Sequence, residues 1–409
     1  MRPPPQRVTF PGSAGALLAG RLDLPAGPPR AYALLAHCFT CSKDLVAAGR
    51  IAAGLNAHGI AVLRFDFTGL GSSDGDFANT DFSSNISDLR HAADWMRTHH
   101  RAPQLLVGHS LGGAAAVAVA ADIPEVRAVA TLGAPADVAH VVRLFDDDAE
   151  AIERDGCAIV EIGGRSFTIR QQLIDDLARH SVEARAGTMR AALLVMHAPG
   201  DNVVSVEHAA RIFGAARHPK SFIALDGADH LLTRADDAVY AASIIGCWAD
   251  RFLVDEHPRE APPSSSAPVL VAETGQGMFL NHVVVGEHRF LADEPVEVGG
   301  FDAGPSPYDL LGAALGACTS MTLRMYSERK GKVLGRIAVE VRHEKTHAID
   351  CDQCVSGAGP LIDHFERRIT IDPAPLPEDR EALARIADRC PVHRTLEGVA
   401  HISTVVDGA

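Results

Sequence analysis

Leu105-Leu106-Val107-Gly108-His109-Ser110-Leu111-Gly112-Gly113 decides the fold of the first half of this 409-residue chain. Residues 105–107 are an apolar run of strand length, and the small residues 113–121 suit a tightly packed helix. Between them, two glycines flank Ser110 at the spacing Gly-x-Ser-x-Gly. Strand, sharp turn and helix in that order require glycine, because the turn is strained and the backbones pass closely. The serine is then held above a sheet edge, at the start of the helix. Serine is a weak nucleophile at neutral pH and needs an adjacent base, which in turn needs an orienting group. The pattern alone arises by chance, so the partners decide the reading.

Both partners have candidates further along. Residues 191–197 form the next buried-strand signal and lead into Ala198-Pro199-Gly200-Asp201. Residues 221–225 form another and lead into Asp226-Gly227-Ala228-Asp229-His230. A lone loop histidine is more often merely solvated. Here nucleophile, acid and histidine come in order, each in the loop leaving a strand, where sites of open α/β sheets lie. His230 is expected to act as base and then as acid, and Asp201 to hold its tautomer. The oxyanion of a tetrahedral intermediate needs two fixed N–H donors. Those expected are the amide of Leu111 and, after the strand at 33–36, the amide of Phe39 in His37-Cys38-Phe39-Thr40.

Over residues 6–255 these features resemble the α/β-hydrolase family, implying a mostly parallel, doubly wound sheet. Arg64-Phe65-Asp66-Phe67-Thr68-Gly69-Leu70-Gly71-Ser72-Ser73 is similar to that family's Asp-x-x-Gly-x-Gly-x-Ser loop and reads as a structural turn near the site. Residues 137–188 fall where the family commonly carries a lid. The interval is short, implying a modest pocket, and 169–179 has a helical pattern. Ester, thioester and amide substrates all remain open, a peptidase among them.

Composition bounds the rest. A chain of 409 residues exceeds one core, so two or three domains are expected. The 47% hydrophobic and 22% charged content is that of a water-soluble globular protein. A formal charge of −14 with no basic cluster argues against nucleic-acid binding. No run approaches the roughly 20 apolar residues of a membrane span. Met1-Arg2-Pro3-Pro4-Pro5-Gln6-Arg7 lacks an apolar core for secretion, so a cytoplasmic location is expected. Eight cysteines are then expected to be thiols rather than a disulfide scaffold.

Residues 254–268 are rich in Pro and Ser and read as a linker between a domain at 1–253 and one at 269–409. Beyond it, strands are expected at 269–274, 281–285, 288–292, 336–347 and 365–371, with helices at 307–329 and 378–390. This is an α+β order. Cys318 lies within the first helix and Cys390 at the end of the second. Alone, Cys318 reads as a small buried hydrophobe.

Gly304-Pro305-Ser306-Pro307-Tyr308-Asp309-Leu310-Leu311-Gly312-Ala313-Ala314 leading into Cys318, with Cys390-Pro391-Val392, strongly resembles the OsmC/Ohr thiol peroxidases over about 269–407. The whole chain is similar to fused α/β-hydrolase–OsmC proteins. The resemblance implies that Cys318 attacks a hydroperoxide and Cys390 resolves it, an external dithiol reducing the pair with no bound cofactor. It also implies a homodimer. The family activates its thiol with an arginine held by a glutamate. Tyr308 and Asp309 stand where that glutamate is expected, which leaves Asp309 as a substitute and Arg289 or Arg394 as the cation. The alternative is a plain esterase carrying a non-catalytic dimerisation or ligand-binding module. Cys351 and Cys354, following His343 and His347, could bind zinc, act as a dithiol or be loop thiols. No second close pair completes a metal signature. Cys38 and Cys41 flank the expected oxyanion donor, and their oxidation could distort the donor at Phe39, a redox switch on hydrolysis.

Overall fold

The computed structural model describes residues 4–162, 164–255, 260–347 and 361–406. It forms two compact units, Met1–Arg259 and Glu260–Ala409.

The first unit opens with β1 (Gln6–Pro11), β2 (Leu17–Asp23), β3 (Ala31–Ala36), α1 (Val46–Ala57), β4 (Ile60–Phe65), α2 (Phe82–His99), β5 (Leu105–His109), α3 (Leu111–Val119) and β6 (Ala128–Leu132). It continues through α4 (Ala149–Asp155), β7 (Cys157–Ile162), β8 (Arg165–Arg170), α5 (Gln171–Leu177), α6 (Val182–Thr188), β9 (Ala192–His197), α7 (Val206–Ala215), β10 (Lys220–Ala224) and α8 (Ala235–Ala249). Its main sheet runs β1-β2-β4-β3-β5-β6-β9-β10. β2 is antiparallel to β1 and β4, and every other pairing is parallel.

Every residue of β3, β4, β5, β6 and β9 is buried, which is why these strands read as continuous apolar runs. Period-two alternation divides them between two cores. Leu34 and Leu106 pack with α2 and α3, whereas Leu35, Leu105 and Val107 pack with α1 and α8. The result is a doubly wound sheet whose strand C-termini bring the loops after β3, β5, β9 and β10 to one edge.

The interval between β6 and β9 differs from expectation. β7 and β8 form an antiparallel hairpin, in which Ile169 pairs with Ala158. The helix read at 169–179 starts only at Gln171 and ends at Leu177.

The second unit holds an antiparallel sheet of β11 (Val269–Glu273), β12 (Asn281–Val285) and β13 (His288–Ala292). Then come α9 (Pro307–Arg329), β14 (Arg336–His347), β15 (Leu361–Asp372), α10 (Pro377–Ala387) and α11 (Pro391–Glu397). β14 and β15 pair antiparallel, and α9 packs on β14. Cys390 does not end a helix over 378–390. It is the N-cap of α11, because Pro391 lacks an N–H and starts a new helix instead of extending α10. Leu323, Leu334, Leu383 and Ala387 make a small core. Cys351 and Cys354 lie outside the described residues. Among the described residues no helix is long and apolar enough to cross a membrane.

Candidate active site

Ser110 occupies the turn from β5 into α3 at φ +53°, a left-handed conformation. The turn is fixed on both sides. The Ser110 amide donates to Leu132 O at 2.8 Å, and the Gly113 amide donates to Ser110 O at 2.8 Å. Neither glycine can carry a side chain: a Cβ on Gly108 would sit 2.4 Å from Gly112 O, and one on Gly112 only 2.3 Å from His37 O. The elbow is thus wedged against the loop after β3, and strain of this kind persists where surroundings over-determine it.

His230, in the loop after β10, bridges the other two expected residues. Its Nε2 is 3.0 Å from Ser110 Oγ, and its Nδ1 is 2.7 Å from Asp201 Oδ2. The second carboxylate oxygen of Asp201 accepts from the amides of Val203 and Val204 at 2.8 and 2.9 Å. Burial pushes the Asp201 carboxyl up. The hydrogen bond from His230 and those two amides outweigh burial and hold it below its ordinary value. An ionised Asp201 keeps the proton on Nδ1 and leaves Nε2 to accept from the serine hydroxyl.

Three further histidines, not singled out by the sequence, brace these loops. His109 Nε2 is 2.6 Å from the carbonyl of His230. His197 Nε2 is 2.8 Å from Val204 O, next to Asp201. His37 Nδ1 is 2.8 Å from Cys38 O. All three are buried. Burial, and the neighbouring His230, bring His109 down to about 4, and burial also lowers His37. As neutral rings, His109 and His37 can each donate one N–H to a carbonyl. The available signal was position: each histidine ends, or directly follows, an apolar strand.

Leu111 and Phe39 both line a small, partly open space of about 10 Å³, together with His37, Cys38, Phe77 and Gly112. That is room for about one water. The Phe39 ring packs on Phe77 at 5.7 Å, and Phe77 on Phe167 of β8 at 5.1 Å. Arg165 donates to Thr40 O at 3.3 Å. Asp66 is fully buried, accepting from the amide and ammonium of Lys43 at 2.6 and 2.7 Å and from the Ser72 amide at 2.8 Å. It ties the loop after β4 to the end of the loop after β3. Cys38 and Cys41 are joined in a disulfide, where thiols were expected.

In the second unit Cys318 is half-buried midway along α9, and Cys390 is fully buried; both are free thiols. Cys390 Sγ accepts from the His393 amide at 3.3 Å and lies 3.8 Å from the hydroxyl of Thr319, the neighbour of Cys318. Arg367 donates to Thr319 Oγ1 at 3.0 Å and to Ala387 O at 3.1 Å, and pairs with Asp388 at 2.7 Å.

Asp309 forms a capping box with Ser306 at the start of α9, about 13 Å of helix rise from Cys318. Arg289 on β13 and Arg394 on α11 are exposed. Arg367 was missed because its inward direction depends on register: it pairs with Val341, whose side chain packs on α9 beside Gly316. His343 stacks on Tyr308 at 4.0 Å and bonds Asp363 at 2.9 Å. No cluster of three metal-binding side chains occurs among the described residues.

Comparison with known proteins gives separate matches for the two units. Residues 27–152 match the family model described as serine aminopeptidase, S33, and residues 300–405 match that of the OsmC-like protein. The chain is 48% identical to the esterase domain of a Rhodothermus marinus protein, covering 61% of this chain and all of that one, with a TM-score of 0.52. It is 26% identical to a monoacylglycerol lipase of Mycolicibacterium smegmatis, over 48% of this chain and 80% of the lipase. Est1E of Butyrivibrio proteoclasticus, solved with ferulic acid bound, shares the fold at 20% identity, covering 60% of this chain and all of that one, with a TM-score of 0.52.

Proposed function

Since the chain belongs to the fused α/β-hydrolase–OsmC proteins, we propose that its first unit hydrolyses carboxylic esters through Ser110, His230 and Asp201, and that its second reduces organic hydroperoxides. The observation that carries the first part is His230 standing in hydrogen-bond contact with both Ser110 and Asp201. Ester is preferred to amide because the 48% identical relative is an esterase domain.

His230 Nε2 takes the hydroxyl proton as Ser110 Oγ attacks the acyl carbon. The amides of Leu111 and Phe39 receive the oxyanion, which they stabilise more than the ground-state carbonyl. His230 then protonates the leaving alkoxide, and the same steps with water release the acid. The test is hydrolysis of p-nitrophenyl butyrate by wild type and Ser110→Ala. A kcat drop of about 10⁴-fold or more with KM little changed is expected. Residual turnover within tenfold of wild type would sink the assignment.

For the second unit, the support is the chain of contacts from Arg367 through Thr319 to Cys390. The Cys318 thiolate attacks the hydroperoxide, forming an S–O bond as the O–O bond breaks and the alcohol departs. Cys390 displaces water from the sulfenic acid, giving a disulfide that an external dithiol reduces. Dithiol-dependent loss of cumene hydroperoxide that disappears in Cys318→Ser is the expected result. Equal rates in both would favour the non-catalytic module. A homodimer through the second unit completes the reading. Its motivation is the exposure of Leu311, Met321 and Met325 on α9, at 41, 66 and 53%.

A further inference from the structure

Neither chemistry uses the disulfide between Cys38 and Cys41. It closes a ring around Phe39 and Thr40, and Phe39 supplies an amide to the oxyanion. The Cα atoms are 5.3 Å apart, an ordinary span for a bridge. Within the ring Thr40 stands at φ +58°. A β-branched residue keeps that left-handed conformation only when its surroundings hold it there. The loop is anchored at both ends. His37 bonds Cys38 O on one side, and Lys43 is clamped to Asp66 on the other. Between the anchors, the bridge and the Cys41 amide on Cys38 O at 3.2 Å fix the shape. Cys38 is 4% exposed, whereas Cys41 is half-buried, so reagents reach Cys41 first.

We propose that Cys38 and Cys41 are a redox-modification site that controls ester hydrolysis. The closed bridge holds Thr40 left-handed and the Phe39 amide aimed at the oxyanion. The open dithiol lets the loop relax and turnover falls. The proposal rests on the serine-hydrolase reading above.

The bridge closes with an organic hydroperoxide as oxidant. The Cys41 thiolate attacks the peroxide, an S–O bond forms, the O–O bond breaks, and the alkoxide leaves as the alcohol after taking a proton. The Cys38 thiolate then attacks that sulfur, forming the S–S bond and expelling hydroxide, which leaves as water. One hydroperoxide is reduced and two thiols are oxidised. Opening consumes one external dithiol by exchange, the dithiol leaving as its disulfide.

The test uses the full chain in two states, treated with dithiothreitol or with cumene hydroperoxide and then freed of reagent. Each is assayed on p-nitrophenyl butyrate, and the Cys38–Cys41 peptide is scored for alkylation by mass spectrometry. The bridged form is expected to exceed the open form in kcat by about tenfold or more, KM staying within about twofold, since a displaced oxyanion donor acts on kcat. Cys41→Ser is expected to stay at the open level under both treatments. Thr40→Gly, which keeps the bridge and lifts the left-handed penalty, is expected to narrow the gap. Equal kcat in two states that differ in alkylation would overturn the proposal. So would a bridge that resists dithiothreitol, or a Cys41→Ser enzyme that still responds. Inactivity in both states with no fluorophosphonate labelling of Ser110 would remove the hydrolase reading itself, and this proposal with it.

Discussion

His109 touches the loop of the proposed base rather than any reacting atom, and its charge state governs that contact. Folded, it takes up a proton only near pH 4, against 6.5 for the ordinary side chain. Between those values the unfolded chain binds the extra proton, so stability falls as pH drops from about 6.5 to about 4. The size is at most about 3 kcal/mol. His109→Gln can keep a donor toward the His230 carbonyl without titrating. Urea melts at pH 7 and pH 5 should show a smaller loss in the variant than in wild type, and equal losses would contradict this account. Arg367 belongs to the same scale. It reaches Cys390 through Thr319, so Arg367→Met should slow closure of the Cys318–Cys390 disulfide after a hydroperoxide pulse by about tenfold. Counting free thiols over time tests it, with circular dichroism confirming the fold.

At the scale of elements, the hairpin β7–β8 matters because it backs the loop after β3, the proposed oxyanion loop. Ile169, Leu173 and Leu177 recur every four residues and look helical, yet Ile169 is taken by β8 through its pairing with Ala158. Tertiary pairing overrides a short periodic signal. Phe167 on that hairpin is 7% exposed and packs on Phe77, which packs on Phe39. Phe167→Ala should cost about 3 kcal/mol of stability and lower kcat on p-nitrophenyl butyrate. A variant with unchanged melting and unchanged kcat would show that the hairpin does not support the loop.

At the scale of the molecule, the two units bury apolar surface very differently. The first packs helices on both faces of an eight-stranded sheet. The second has a cluster of four buried hydrophobic residues, while α9 leaves large apolar side chains in solvent. A core that small rarely holds a domain alone. Sedimentation is therefore expected to show a dimer that Met321→Lys weakens, with ester hydrolysis retained. A monomeric wild type at micromolar concentration would refute it. Residues 1–259, expressed alone, should keep kcat/KM on the ester within about threefold of the full chain.

What the residues determine by themselves is local. Apolar runs of three to six residues mark β5, β9 and β3, glycines at fixed offsets mark the turn at Ser110, and Pro307 at the first turn of α9 marks where that helix starts. The chemical order of serine, acid and histidine is legible for the same reason, because each follows a strand signal. The tertiary structure alone decides what lies far apart in the chain. Ser110 and His230 are 120 positions apart, and no local rule fixes the 3.0 Å between them. The register of β14 with β15 turns Arg367 inward. Backbone propensity acts over a few residues, whereas side-chain direction and contact arise only when separate elements close a shared core.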